Sequence, residues 1–209
     1  MIQLYTWGTP NGRKASIMIE ELGLDYETHP IDISKGEQFD PAFLAVSPNN
    51  RIPAIVDEDG PDGKPLSLFE SGAILVYLAE KTGSDLLPTD PRRRAVTFQW
   101  LMWQMGGVGP MFGQAHHFLF QPKEDVPYGK KRYHDETKRL YGVMNKRLGD
   151  ATYLAGDDYS IADIVTYPWV SRHERHQVDL AEFPNVKRWF DLISERPAVQ
   201  RGMAVPFLN

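Results

Sequence analysis

Apolar positions recur along the chain with two different spacings, and the change from one to the other divides it. Ile2–Thr6 alternates between apolar and polar, the period of a half-buried strand. Ala15, Met18, Ile19 and Leu22 then fall at i, i+3, i+4 and i+7, one face of a helix over residues 11–23 that Gly23 stops. Residues 26–33 read as a second strand, Pro41–Val46 as a helical turn, and residues 52–56 as a third strand. Asp59-Gly60-Pro61-Asp62-Gly63 is dense turn chemistry leading into a fourth strand, Leu66–Phe69, so the last two strands predict a hairpin. A helix follows over residues 71–81. The order βαβ, α, ββα is that of an α/β sandwich with a small mixed sheet of four strands.

Residues 83–91 (GSDLLPTDP) read as a linker, and strand signals fade after them. Phe98, Leu101, Met102 and Met105 form one helical stripe, and Tyr133, Thr137, Leu140, Tyr141, Met144 and Leu148 a second. Val186, Trp189, Phe190 and Ile193 form a third. The expected organisation is an α/β domain over 1–82, the linker over 83–91 and an all-α bundle over 92–209. Gly106-Gly107-Val108-Gly109-Pro110 interrupts a long helix and predicts a kink. Ser160 and Asp163 have capping-box spacing, with Tyr159 and Ile164 placed as a hydrophobic staple, a folding device without chemistry.

Composition removes several classes of function. Of 209 residues 23 are basic and 28 acidic, a net charge of −5 that argues against nucleic acid as a partner. No apolar run reaches the length of a membrane span, and the first residues lack the pattern of a signal peptide. Cysteine is absent. A protein thiol nucleophile and thiolate metal sites are therefore excluded, and any sulfur chemistry must use thiols brought by a ligand. His116 and His117 are adjacent and diverge on a helix, and His173 and His176 share a face that Glu174 and Arg175 mark as solvated, so no metal site is expected. Trp100, Trp103 and Phe112 read mainly as core.

Three places carry candidate chemistry. Pro53 opens a strand, where it removes a ladder donor. A cis Ile52-Pro53 bond would turn the backbone N–H and C=O of Ile52 toward an extended ligand, whereas a trans proline at a sheet edge needs no ligand. In Phe69-Glu70-Ser71-Gly72 a strand ends and a helix begins. Ser71 serves there either as a helix cap or, with free N–H groups, as a carboxylate site beside an ammonium site at Glu70. Thr9-Pro10-Asn11 starts the first helix, either as a plain cap with proline behind it or as a set of donors aimed at one point. Such donors favour a bound thiolate. Making a thiol a hundredfold more acidic takes about 2.7 kcal/mol, within reach of two or three charge-assisted hydrogen bonds.

The NN-R-I-P-A-I segment, the FESGAIL-x-YLAEK helix, the proline-bearing linker and the late S-I-A-D box occur here in one order. Together they resemble the cytosolic glutathione transferases over essentially the whole chain. The opening YTWGTPNG and the later QWLMWQMGGVGPMFGQ are similar to the bacterial nu class, which resembles a disulfide-bond reductase. The resemblance implies a thioredoxin-like first domain that binds glutathione, an all-helical second domain, and a cytoplasmic homodimer. It implies Thr9 and Asn11 at the glutathione sulfur and Ile52, before a cis Pro53, along the cysteinyl backbone. It further implies Glu70 and Ser71 at the γ-glutamyl end, Gln38 and Arg51 at the backbone and glycyl carboxylate, and Arg132 reaching the neighbouring subunit's site. Tyr5 is a rival for sulfur activation, but its place in a strand points to a structural role. No permanent cofactor is implied; glutathione is a substrate, one or two per site. The leading expectation is glutathione-dependent disulfide reduction. The alternatives are conjugation of glutathione to electrophilic carbon and a non-catalytic, glutathione-binding regulator.

Overall fold

The computed structural model describes residues 1–120 and 122–206. They form two compact units, Met1–Asp85 together with the chain from Glu195 onward, and Leu86–Ser194.

In the first unit β1 (Ile2–Thr6), α1 (Pro10–Leu22), β2 (Tyr26–Pro30), α2 (Pro41–Val46), β3 (Ala54–Asp57), β4 (Leu66–Phe69) and α3 (Ser71–Thr82) follow in order. The sheet runs β2-β1-β3-β4, with β1 parallel to β2 and antiparallel to β3, and β3 antiparallel to β4. This is the mixed four-stranded sheet that the alternation predicted. Ile2, Leu4, Ala54 and Ile55 of the sheet are buried, as are Ala15, Met18 and Ile19 of α1 and Ile74, Leu75 and Leu78 of α3. Gly23 ends α1 at φ 61, the left-handed conformation that glycine adopts without steric cost. Two strands are shorter than the apolar pattern indicated: β2 stops at Pro30, and β3 begins only after Pro53, which has no N–H to give a ladder.

The end of the chain departs from the domain limits expected above. Helix α9 (Pro197–Ala204) packs on α1 and belongs to the first unit, although residues 92–209 were expected in the helical bundle. The cause is close approach at Gly202. A Cβ there would lie 2.5 Å from Ile17 Cα and 2.6 Å from Ile17 N, so only glycine lets the two backbones meet. Ser16 Oγ donates to the Gly202 carbonyl at 2.7 Å, and Arg196 and Arg201 pair with Glu21 and Glu20.

The second unit holds α4 (Pro91–Trp103), α5 (Gly109–Leu119), α6 (Pro127–Asp150), α7 (Ile161–Val170) and α8 (Pro184–Ser194). Where the glycine run predicted a kink, Gln104–Val108 forms one π-helical turn between α4 and α5. The buried stripe that runs through α4 and the π-helical turn is set by Thr97, Leu101, Gln104 and Val108, and Met102 lies outside it at 56% exposure. All ten residues of α7 are buried. The expected capping box is formed, and Asp163 does more than cap. Its carboxylate accepts from Ser160 N–H at 3.1 Å, Leu154 N–H at 3.0 Å and Trp189 Nε1 at 2.8 Å, tying α7 to α8. His176 overturns the expectation of a solvated pair. It is wholly buried, 4.8 Å from the Phe112 ring, and burial pushes its imidazole down to about 3. Among the described residues no helix is long and apolar enough to cross a membrane.

Candidate active site at the end of the sheet

Register brings three separate stretches of sequence to one end of the first unit's sheet. Tyr5 of β1 pairs with Ala54 of β3, and Ala54 pairs with Phe69 of β4. One residue beyond each partner, the chain reaches Thr6, Pro53 and Glu70. From Thr6 it turns through Trp7 and Gly8 into α1, and from Glu70 it enters α3. Thr9, Asn11, Ile52, Pro53, Glu70 and Ser71 therefore flank the same sheet end, although up to 62 positions separate them in sequence.

At the start of α1, Thr9 is the helix cap. Its extended backbone (φ −103, ψ 161) lets Oγ1 accept from Gly12 N–H at 3.2 Å, and Pro10 opens the first turn. The hydroxyl that caps the helix still carries a hydrogen to donate. Gly12 allows this turn to press against β1, since a Cβ there would lie 2.5 Å from Thr6 Oγ1. Asn11 sits half-buried in the first turn, where the positive end of the helix dipole favours negative charge.

The Ile52-Pro53 bond is cis. The β1–β3 ladder begins at Ala54, so Ile52 lies beyond it. Arg51 is exposed, and its carbonyl accepts from Ser47 Oγ at 2.8 Å, which braces the approach to the strand. Gln38 lies in the short turn Glu37–Phe39 between β2 and α2, half-buried, with its Oε1 shielded from solvent and accepting no hydrogen bond from the described residues.

Ser71 stands inside α3 and not at its cap. It is the first helical residue, and the cap position falls on Glu70, whose side chain makes no capping bond. Glu70 holds φ 71 and ψ 109, a conformation that costs a non-glycine residue about 1–3 kcal/mol. Glu70 is exposed and Ser71 is buried.

One residue of this region escaped the sequence reading. Lys14 of α1 is 1% exposed, and its Nζ donates to Ser71 Oγ at 3.4 Å. Burial pushes its ammonium down to about 7, against the upward pull of the Glu70 carboxylate. The signal was present: Lys14 stands four residues before Met18, inside the buried stripe, where lysine is rare without a partner. Tyr5, the rival for sulfur activation, stacks on His29 at 4.7 Å and leans on Phe43, which accounts for it as a packing residue.

Arg132 belongs to the second unit. It is exposed on α6 and lines an open cavity of about 650 Å³ with Met111, Tyr128, Tyr133 and Glu136. The Arg139 guanidinium holds the Glu136 carboxyl below its ordinary value, with a smaller contribution from Arg132. No group of three or more His, Asp or Glu side chains suited to a metal ion occurs among the described residues.

A mixed four-stranded α/β unit followed along the chain by an all-helical unit defines a glutathione transferase-like class of protein. Residues 1–80 match the glutathione S-transferase N-terminal domain and residues 108–197 the glutathione S-transferase C-terminal domain, and the chain belongs to this family. It is 53% identical to the disulfide-bond oxidoreductase YfcG of Escherichia coli, over 97% of this chain and 94% of that protein. Its fold matches a glutathione transferase of Burkholderia graminis, solved with two glutathione molecules bound per subunit. The TM-score is 0.94 at 47% identity, covering 100% of this chain and 89% of that one. A glutathione transferase of Pseudomonas putida, solved with one glutathione disulfide bound per subunit, matches with a TM-score of 0.94 at 48% identity, over 98% and 91% of the two chains.

Proposed function

We propose that this chain is a glutathione-dependent disulfide reductase that works as a cytoplasmic homodimer of the nu class. The observation that carries the reading is the convergence of Thr9-Asn11, cis-Pro53 and Glu70-Ser71 at one sheet end in a chain with no cysteine. The geometry suits a tripeptide thiol, and all the sulfur has to come from ligands. Relatives bound to two glutathiones or to one glutathione disulfide support the same chemistry.

Each part of glutathione has a matching group. Its α-amino-acid end meets Glu70 through the ammonium and the α3 N-terminus with Ser71 through the carboxylate. Its cysteinyl backbone pairs with Ile52 as an added strand. Gln38 and Arg51 take the rest of the backbone and the glycyl carboxylate. The sulfur lies at the mouth of α1, where the Thr9 hydroxyl, the Asn11 amide and the helix dipole stabilise the thiolate over the thiol. In the homodimer, Arg132 serves the neighbouring subunit's site.

Reduction proceeds by two exchanges. The first thiolate attacks one sulfur of a disulfide, forming a mixed disulfide and expelling the other sulfur as a thiolate that takes up a proton. A second glutathione thiolate attacks the glutathione sulfur of the mixed disulfide, yielding glutathione disulfide and the second substrate thiol. Two glutathiones are oxidised for each disulfide reduced, and the protein supplies position and electrostatics. Reduced glutathione is abundant in the cytoplasm, the compartment that this reaction requires.

Turnover of 2-hydroxyethyl disulfide with glutathione, compared with 1-chloro-2,4-dinitrobenzene, tests the proposal. Faster turnover of the disulfide is expected, and much faster turnover of the aromatic chloride would establish conjugation instead. In Asn11→Ala, glutathione should still bind while its thiolate absorbance titrates back toward the free thiol's pKa of about 8.5. An unmoved titration would remove Asn11 from the sulfur site.

A further inference from the structure

In the glutathione reading of the site, the ligand's α-carboxylate arrives at Ser71 next to the Glu70 carboxylate, and the α3 dipole and the ligand's own α-ammonium oppose their repulsion. Beneath this point lies a fully covered lysine. Lys14 comes from α1, reaches the first residue of α3, and places Nζ 3.4 Å from the Ser71 hydroxyl oxygen. A lysine at 1% exposure is costly to keep, since a methionine of similar length would pack there without loss of hydration. An ammonium that occupies the acceptor side of the Ser71 hydroxyl also polarises its O–H as a donor.

We infer that Lys14 is a positioning residue of this site: its ammonium, held under Ser71, offsets the Glu70 charge and makes the α3 N-terminus selective for a ligand bearing both an α-ammonium and an α-carboxylate. The inference rests on the glutathione reading of the site. With Lys14 and Glu70 both charged, the empty site is close to neutral, and a zwitterionic end keeps it so. Each half of the ligand meets the opposite sign, the ammonium at Glu70 and the carboxylate over Ser71 and Lys14. A ligand that lacks the carboxylate brings a second positive charge to the site and no negative one to meet Lys14. Burial lowers the Lys14 ammonium toward neutrality while Glu70 raises it, so the proton on Nζ is one that an arriving carboxylate would stabilise.

The test is calorimetric titration with two probes, glutathione and γ-aminobutyryl-cysteinyl-glycine, which lacks only the α-carboxylate. They are compared on the wild-type protein and on Lys14→Met, which keeps the side-chain length and removes the charge. Lys14→Met should weaken glutathione binding about tenfold and change binding of the decarboxylated probe by less than about twofold. Equal losses for both probes would show that Lys14 only supports the fold, and an unchanged affinity for glutathione would remove its role. Either result overturns this inference while leaving the glutathione site in place. Wild-type protein that binds neither probe would instead overturn the reading of the site itself, and the inference with it. Should Lys14→Met fail to fold, Lys14→Gln carries the same comparison with a neutral side chain that hydrogen-bonds.

Discussion

Gly202→Ala places one methyl group where α9 meets α1. A Cβ at this position would lie 2.5 Å from Ile17 Cα, 2.6 Å from Ile17 N and 2.8 Å from Ile17 Cγ1. Carbon atoms in ordinary contact stand about 3.5–4.0 Å apart, so α9 must retreat by about 1 Å. Overpacking of this kind costs about 1–3 kcal/mol. The retreat also opens the buried Ser16 Oγ to Gly202 carbonyl bond, now 2.7 Å, for about 1 kcal/mol more. Alanine returns about 1 kcal/mol through its better helix propensity. The net expectation is a destabilisation of about 1–3 kcal/mol. Urea unfolding followed by circular dichroism measures it, with Gly142→Ala as the internal control. Gly142 lies within α6 with nothing within 4 Å of the added Cβ, so the same substitution there should stabilise by up to about 1 kcal/mol. The two glycines therefore predict opposite signs. If Gly202→Ala unfolds within about 0.5 kcal/mol of wild type, or gains as Gly142→Ala does, the docking of α9 against Ile17 is refuted.

Two further expectations concern buried carboxylates. Asp163→Ala strands Leu154 N–H, Ser160 N–H and the Trp189 indole N–H without their acceptor, and should cost about 3–5 kcal/mol in the same unfolding assay; a loss below about 1 kcal/mol would show that these donors find other partners. Asp57 titrates below its ordinary 3.8: burial pushes it up, but hydrogen bonds from Lys81, Tyr77 and the Asp59 N–H prevail. A carboxyl lowered in the folded state adds stability that is complete above its unfolded pKa and lost as pH falls through the folded one. Asp57→Asn should therefore flatten the acid side of the stability profile around and below pH 3.8, and an unchanged acid limb would rule out Asp57 as its source.

Local physics made much of this protein legible in its sequence. The alternation of Ile2–Thr6, the 3.6 period of α1, the glycine at its end and the capping box at Ser160 each depend on neighbours a few residues apart. The local backbone constraints at the candidate site were readable for the same reason. Thr9-Pro10, Ile52-Pro53 and Glu70-Ser71 each carry a backbone constraint within two or three residues. The absence of cysteine limited the sulfur chemistry without reference to any fold. The sequence placed residues 197–204 in the helical bundle and His173 and His176 on one solvated face, but a helical pattern does not name the surface that will cover it. Only tertiary contact placed α9 on α1 through Gly202, and only burial among aromatic rings made His176 a core residue. Lys14 is the sharpest case. As a residue type it belongs in water, and its meaning comes from Ser71 and Glu70, more than fifty positions away, which the sheet register brings to the same end.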